Sequence, residues 1–118
     1  KAIEAGAAGI VVSNHGGRVL GQCPGTADVL PEIAEAVNGR AVVFVDGGIR
    51  SGVDVFKALA LGADAVLIGR PFVSMVYGAE AEGVKIFIEK IGAELRDTMT
   101  MCGMHSLGEI TKEAVRIC

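Results

Sequence analysis

The sequence predicts an α/β fold with parallel strands, and three observations support this prediction. Short apolar runs alternate with stretches of helical periodicity, the runs end close to glycines, and 17 glycines are too many for a helical bundle. The resulting order α-β-α-β-α-β-α-α calls for parallel strands joined by right-handed crossovers. With 118 residues, of which 51% are apolar, residues 1–118 can bury one core and are expected to form a single domain.

The three strands are predicted where β-branched and other apolar residues run together. We expect them at Gly9–Ser13, Ala41–Val45 and Ala65–Ile68. The second run is apolar on both faces, which is typical of a strand covered by helices on one side and by a barrel core on the other. The long glycine-rich loop Gly16–Gly25 follows the first strand, and loops of this length at the end of a strand usually carry function.

Capping residues indicate where the helices begin and end. The predicted helices are the last turns of one at Lys1–Ala5, one opened by Thr26 and stopped by Asn38-Gly39, one from Ser51 to about Leu61, a short one near Phe72–Tyr77, a long amphipathic one from about Ala81 to Met101, and a final one from Ser106 through Val115. Ser51 with Asp54, and Ser106 with Glu109, have the spacing of a capping box. A chain that opens in the last turns of a helix suggests a fragment.

Composition argues against several classes of protein. A net charge of -3 and a pI near 5.3 give no basic face for nucleic acid, and the longest apolar runs are far shorter than a membrane span. The start of the chain has no signal-peptide pattern. Cys23, Cys102 and Cys118 are odd in number and lack CxxC spacing, so we expect reduced thiols in a cytoplasmic protein. No His, Cys or carboxylate spacing is typical of metal ligands, so we expect no metal.

Candidate chemistry begins at the segment Ser13-Asn14-His15-Gly16-Gly17-Arg18, which follows the first strand. The two glycines allow left-handed backbone or close approach to a ligand. The His15 imidazole can move a proton near neutral pH, and the Arg18 guanidinium can hold a carboxylate through two parallel hydrogen bonds. Together they suit an anionic substrate that must lose a proton.

The second and third strands end in a similar way. Asp46-Gly47-Gly48-Ile49-Arg50 and Gly69-Arg70 each combine glycine, arginine and a helix that starts just after them. Exposed backbone N–H groups, the positive end of a helix and a guanidinium together favour phosphate binding. Two adjacent strands that end this way resemble the phosphate site after strands 7 and 8 of a TIM (β/α)8 barrel.

Several linked motifs resemble one family. SNHGGR, PGTADVLPEI, VFVDGGIRSGVDVFKALALGADAVLIGRPF and the closing MCGMHSLGEIT are similar to the C-terminal part of FMN-dependent α-hydroxy acid oxidases and dehydrogenases, which include glycolate oxidase and lactate oxidase. The resemblance implies a chain made of the C-terminal three βα units of a TIM barrel with extra C-terminal helices. It also implies FMN as cofactor and oxidation of L-2-hydroxy acids, of the lactate or glycolate type, to 2-oxo acids.

The resemblance assigns roles to individual residues. His15 would match the histidine that takes the proton of the substrate, Arg18 the arginine that binds its carboxylate, and Asp46 the aspartate near the ribityl chain and the histidine. All three would be catalytic, His15 and Arg18 would bind the substrate, and His15 and Asp46 would also contact the cofactor. The flavin phosphate pocket would be matched by Gly48, Arg50, Gly69 and Arg70. Val19 and Gly21 depart from the family pattern HGGRQLD, which bears on loop contacts and substrate preference.

Each candidate residue also has a purely structural interpretation. His15 could be a turn residue bonded to backbone, and Arg18 a solvated surface charge. Asp46 could cap the turn that follows it. Arg50 and Arg70 could form salt bridges across helix starts.

Two other functions remain as alternatives. Another FMN barrel, such as type 2 isopentenyl-diphosphate isomerase, would share the phosphate site but not normally the HGGR turn. A catalytically inactive barrel fragment would need its open strand edges covered, by a homo-oligomer or by the missing N-terminal half of the barrel. Because a full barrel takes about 250 residues, and because the flavin-contacting lysine and substrate-binding tyrosines of the family would lie before Lys1, the chain alone is expected to be inactive.

Overall fold

A parallel three-stranded sheet lies at the centre of the fold. The computed structural model describes residues 1–116. The elements are the strands β1 (Gly9–Val12), β2 (Val42–Asp46) and β3 (Ala65–Leu67) and the helices α1 (Thr26–Val37), α2 (Gly52–Ala60) and α3 (Arg70–Met101). The strands are parallel and lie in the order β1-β2-β3. The predicted parallel α/β fold is confirmed.

The register brings the carboxyl ends of the strands to one edge of the sheet. Val12 at the end of β1 pairs with Val45, and Asp46 at the end of β2 pairs with Leu67 at the end of β3. The predicted strands agree with the observed ones to within one residue at each end, with Asp46 inside β2 and Ser13 just beyond β1. The polar segments after the strands therefore leave the sheet side by side.

One face of the sheet carries the core. Val12, Val43 and Val45 are buried on this face, in one cluster with Leu30 of α1 and Val55 of α2. This is the helix-covered side that the apolar pattern of the second strand predicts.

The opposite face of the sheet is open. Val11, Val42 and Leu67 expose 54%, 43% and 41% of their surface. The strand register and the alternation of side chains place them on the same face as the half-buried Phe44. Within residues 1–116 no element covers this face. It is the side on which the second strand was predicted to meet a barrel core.

Helix α3 consists of two helical parts. Ala79 (φ -156°) and Glu80 (φ 48°) leave helical geometry, and the break separates the predicted short helix from the long one. Phe72 of the first part packs edge to face against Phe87 of the second, with ring centroids 5.0 Å apart. The two parts therefore fold back on one another.

Capping was predicted correctly for one helix and incorrectly for another. At α2, Ser51 Oγ accepts a hydrogen bond from the Asp54 N–H (3.2 Å), and the Asp54 carboxylate accepts one from the Ser51 N–H (3.0 Å), as the capping box predicts. At α1 the cap is Gly25 rather than Thr26, because the Asp28 carboxylate accepts the Gly25 N–H (3.1 Å). Thr26 is instead the first residue of the helix and is buried.

The two ends of the chain differ from prediction. Lys1–Ala5 forms a hydrogen-bonded turn rather than helix. The final helix is replaced by 3-10 turns at Leu107–Glu109 and Lys112–Ala114. Ile110 explains the interruption, because it is extended and buried against the cluster of Phe56 and Ala60 of α2.

A carboxylate of α3 supports the start of α2. Glu94 Oε2 accepts a hydrogen bond from the Gly52 N–H at 2.8 Å, and its other oxygen forms an ion pair with Lys90. The Lys90 hydrogen bond, followed by the one from the Gly52 backbone, lowers the pKa of Glu94 below its ordinary value. The contact joins α2 to α3 through two residues that lie 42 positions apart in the chain.

We expect the Glu94 contact to make stability depend on pH. A carboxyl group whose pKa is lowered by folding stabilises the protein above its unfolded pKa, about 4.3 for glutamate, and this contribution is lost as the pH falls through the lower folded value. Glu94→Gln should therefore unfold at lower urea concentration than the parent at pH 7, with a difference that shrinks in acid. Glu89→Gln on the exposed side of α3 is the control. A difference for Glu94→Gln that grows as the pH falls would contradict this assignment.

The structure also bears on membrane spans and on the cysteines. Within residues 1–116 no helix is long and apolar enough to cross a membrane. Cys23 is half-buried and Cys102 is exposed, and both are free thiols, whereas Cys118 lies outside the described residues.

Candidate functional site

The segments that follow the three strands form one cleft. Its lining consists of His15, Gly16, Arg18, Asp46, Gly47, Gly48, Ile49, Arg50, Leu67, Ile68, Gly69, Arg70 and Pro71. Every site residue that the sequence predicts lies in this lining. The cleft therefore joins the candidate base and the candidate phosphate residues in one place.

The segment after β1 is a left-handed turn. His15, Gly16 and Gly17 have φ values of 55°, 67° and 71° in succession. Glycine adopts such angles without steric cost, whereas a histidine does so rarely and at a cost of about 1–3 kcal/mol. The turn directs His15 and Arg18 into the same cleft.

His15 and Arg18 are in direct contact. Arg18 Nη2 lies 2.7 Å from His15 Nε2, and the Arg18 Nε–H donates to the His15 carbonyl oxygen at 3.4 Å. A guanidinium group can only donate, so Nε2 is the acceptor and a neutral His15 ring carries its proton on Nδ1. Arg18 is therefore engaged with the histidine rather than only with solvent.

Asp46 reaches the histidine segment through Ser13. Ser13 Oγ donates to Asp46 Oδ2 at 2.7 Å and accepts the His15 N–H at 3.1 Å. The Asp46 carboxylate at the end of β2 thus bonds to Ser13, the residue that follows β1. Sequence analysis placed Ser13 in the segment of candidate chemistry but assigned it no role, because its bond to Asp46 depends on the pairing of β1 with β2.

The candidate phosphate site is formed by two turns. Among residues 1–116, the N–H groups of Gly48 and Gly69 donate no hydrogen bond, and Gly48 (φ 81°) has open space where a Cβ would be. The ion pairs within this range involve lysines and the N-terminus, so neither Arg50 nor Arg70 forms the predicted salt-bridge alternative. All four residues line the cleft, so two backbone amides without a protein acceptor and two guanidinium groups without an ion pair in the described part of the chain meet there.

The helix that contributes to this site is α3 rather than α2. The Asp54 carboxylate accepts the N–H groups of Arg50 and Ser51 at 3.0 Å, and Glu94 accepts that of Gly52. The expectation that the start of α2 would face a phosphate is therefore wrong, because carboxylates already occupy its amides. The start of α3, at Gly69 and Arg70, remains available.

The histidine turn and the phosphate site touch one another. A Cβ placed on Gly16 would lie 2.8 Å from Arg70 Nη2, so the guanidinium packs directly on the glycine backbone. The end of β3 and the turn after β1 are thus neighbours at the top of the sheet. Among the described residues, no group of three or more His, Cys, Asp or Glu side chains could hold a metal ion.

Comparison with known proteins identifies the family. A family model described as FMN-dependent dehydrogenase matches residues 1–117. The chain is 50% identical over 116 residues to a peroxisomal (S)-2-hydroxyacid oxidase of Arabidopsis thaliana, and the matched segment covers 98% of this chain and 32% of the relative. It is 50% identical over 115 residues to the L-lactate oxidase of Lactobacillus jensenii, covering 98% of this chain and 28% of the relative.

A solved structure agrees with the sequence comparison. A mandelate oxidase in complex with 3,3-difluoro-2-hydroxy-3-phenylpropionic acid superposes with a TM-score of 0.91 at 50% identity, over 94% of this chain and 34% of the other. The chain thus spans about a third of the length of the relatives it matches. FMN is the cofactor of the family. The chain belongs to the FMN-dependent dehydrogenase family.

Proposed function

We propose that this chain forms the FMN phosphate site and the proton-accepting, carboxylate-binding part of an L-2-hydroxy acid oxidase or dehydrogenase. The single observation that supports this most strongly is that one cleft contains the His15–Arg18 pair and both glycine-arginine turns. The named relatives favour a 2-hydroxy acid over isopentenyl diphosphate as substrate.

The residues present fit the phosphate of FMN. A phosphate dianion needs several donors and positive charge, and the amides of Gly48 and Gly69 with the guanidinium groups of Arg50 and Arg70 provide both. Open space at Gly48 lets an oxygen approach the backbone. These four residues would hold the phosphate, at the start of α3.

His15 and Arg18 would act on the substrate. The Arg18 guanidinium binds the carboxylate, which draws it away from His15 Nε2 and leaves that nitrogen free to accept the proton of the α-hydroxyl group. Bound FMN supplies the acceptor for the hydride equivalent from the α-carbon. Asp46, through Ser13, keeps the backbone of His15 in place.

The chain would contribute the C-terminal three βα units of a TIM barrel over residues 1–118. The exposed sheet face at Val11, Val42 and Leu67, and the free outer edges of β1 and β3, support this placement, because a barrel covers both. The partner we propose is the N-terminal part of such a barrel. Homo-oligomerisation stays a prediction.

The location of the protein also stays a prediction. The cysteine pattern favours the cytoplasm, whereas the name of the Arabidopsis relative places that protein in peroxisomes. Imaging of a tagged protein in its own cells decides between these compartments.

A hybrid enzyme tests the proposed function. In this hybrid lactate oxidase, the chain replaces the matching segment of the L-lactate oxidase of Lactobacillus jensenii. Mixed anaerobically with L-lactate, the purified protein should bind FMN and lose the absorbance of oxidised flavin in a single turnover. A folded hybrid that holds FMN but is not bleached by L-lactate, glycolate or mandelate would contradict the proposal.

Arg70→Ala should weaken FMN binding to the hybrid lactate oxidase by roughly 10- to 100-fold, because it removes charged hydrogen bonds worth about 1.5–3 kcal/mol. Riboflavin, which lacks the phosphate, should bind parent and variant alike. Arg96→Ala, an exposed position of α3 outside the cleft, is the control with the same change in charge. Fluorescence titration measures the affinity of each protein for FMN and for riboflavin. Equal FMN affinities for Arg70→Ala and Arg96→Ala would remove Arg70 from the phosphate site.

A further inference from the structure

We propose that Asn14 is a positioning residue that holds His15 and the left-handed turn in place. The inference rests on the proposed function of His15 as the proton acceptor. Asn14 itself does not line the cleft, so it would act through its neighbour and not by touching substrate.

The turn needs support from outside its own backbone. His15 is the only residue of its three left-handed positions that is not glycine, and such a conformation persists where surrounding contacts determine it. Without that support, His15 would relax to a more common backbone conformation. Its imidazole and the Arg18 side chain would then leave their present positions.

Asn14 holds the turn with three hydrogen bonds. Its Oδ1 accepts the Gly16 N–H at 3.0 Å, and its backbone carbonyl accepts the Gly17 N–H at 3.0 Å. Its Nδ2 donates to the Pro24 carbonyl at 3.2 Å, at the far end of the loop. Both the oxygen and the nitrogen of the Asn14 carboxamide thus form a hydrogen bond.

These partners connect the turn to the rigid part of the fold. Pro24 lies next to Gly25, the cap of α1. Asn14 Oδ1 also lies 3.8 Å from the place where a Cβ of Gly47 would be, in the turn that follows β2. Asn14 therefore joins the turn after β1 to the start of α1 and only lies near the turn after β2, to which it makes no hydrogen bond within residues 1–116.

The chemistry of these contacts favours asparagine specifically. Aspartate can accept the Gly16 N–H but would place a carboxylate oxygen against the Pro24 carbonyl, and alanine makes neither side-chain contact. Asn14→Asp should thus keep the hydrogen bond from Gly16 and lose the one to Pro24, whereas Asn14→Ala should lose both. The graded pair distinguishes the two hydrogen bonds.

NMR of the histidine side chains tests the inference in the full chain. The chain has two histidines, so His105 serves as an internal reference for His15. In Asn14→Ala we expect the imidazole signals of His15 to shift or broaden while those of His105 stay unchanged, with a smaller effect in Asn14→Asp. Asn38→Ala is the control, because Asn38 is also left-handed (φ 47°) but lies at the C-terminal end of α1. It should lower the unfolding temperature and leave His15 unchanged.

Three NMR outcomes would overturn the inference. His15 signals that do not move in Asn14→Ala exclude a positioning role. Equal shifts of His15 and His105 indicate general destabilisation instead, as does an effect of Asn38→Ala on His15 as large as that of Asn14→Ala.

Kinetics of the hybrid lactate oxidase separate this inference from the proposed function. Asn14→Ala should lower kcat roughly 10- to 100-fold, because a small displacement of a catalytic group has an effect of that size, while FMN affinity stays unchanged. An unchanged kcat alongside a large loss in His15→Ala would overturn the role of Asn14 and leave the proposed function intact. If His15→Ala is also fully active, the proposed function fails, and the NMR comparison still decides whether Asn14 holds the turn.

Discussion

His15→Ala in the hybrid lactate oxidase should lower L-lactate turnover by about 10²–10⁴-fold, the usual contribution of a positioned general base. The reason is His15 Nε2, which accepts a hydrogen bond from Arg18 in this structure and becomes free to accept a proton once Arg18 binds a carboxylate. Alanine has no acceptor at that place. Stopped-flow absorbance of the flavin under anaerobic conditions measures the reduction step directly.

The FMN affinity of His15→Ala is measured as well, to show that slower turnover does not come from loss of the cofactor. His15 belongs to the turn after β1, whereas the phosphate donors belong to the turns after β2 and β3, so we expect FMN affinity to change little. His105→Ala, at an exposed position outside the cleft, is the matched control and should keep full turnover. A His15→Ala protein that reduces its flavin at the parental rate would show that another group accepts the proton.

Gly52→Ala should lower the free energy of unfolding of the chain by about 3 kcal/mol, at the upper end of the usual effect of overpacking. A Cβ at this position would lie 2.2 Å from the backbone nitrogen of Leu95 and 2.6 Å from the carbonyl carbon of Glu94. Backbone atoms of a packed helix cannot move aside as the end of a flexible side chain can. Helices α2 and α3 would have to separate, and the Gly52–Glu94 hydrogen bond would be lost.

Gly92→Ala is the control for this prediction. It is a helical glycine of α3 whose nearest neighbour to a new Cβ is the flexible end of Arg96, at 3.4 Å. Alanine should therefore stabilise the chain by up to about 1 kcal/mol through its higher helix propensity. Urea unfolding of parent and both variants measures the two effects, and equal stabilities for Gly52→Ala and Gly92→Ala would contradict the packing of α2 on α3.

Local patterns were sufficient to predict the sheet and the cleft. The strands follow from short β-branched runs, and their parallel order follows from the helices between them. Parallel strands deliver their carboxyl ends to one edge, so His15, Asp46 and Arg70 could be placed together without knowledge of any distance.

Contacts between distant residues could not be predicted in the same way. Neither the Glu94 bond to Gly52 nor the Asp46 bond to Ser13 leaves a pattern in sequence spacing, because each depends on packing across elements. The burial of Ile110 against α2 has the same cause, whereas the missed cap at Gly25 depends on Asp28, only three residues away. In both places a side chain partner, rather than the propensity of the segment, decides the local backbone.

A crystal structure of the hybrid lactate oxidase with FMN tests most directly whether one cleft serves both cofactor and substrate. We predict the phosphate of FMN against the amides of Gly48 and Gly69 and the Arg70 guanidinium, with the His15 imidazole turned toward the flavin ring in the same cleft. Phosphate bound elsewhere, or a His15 side chain directed out of the cleft, would contradict the account.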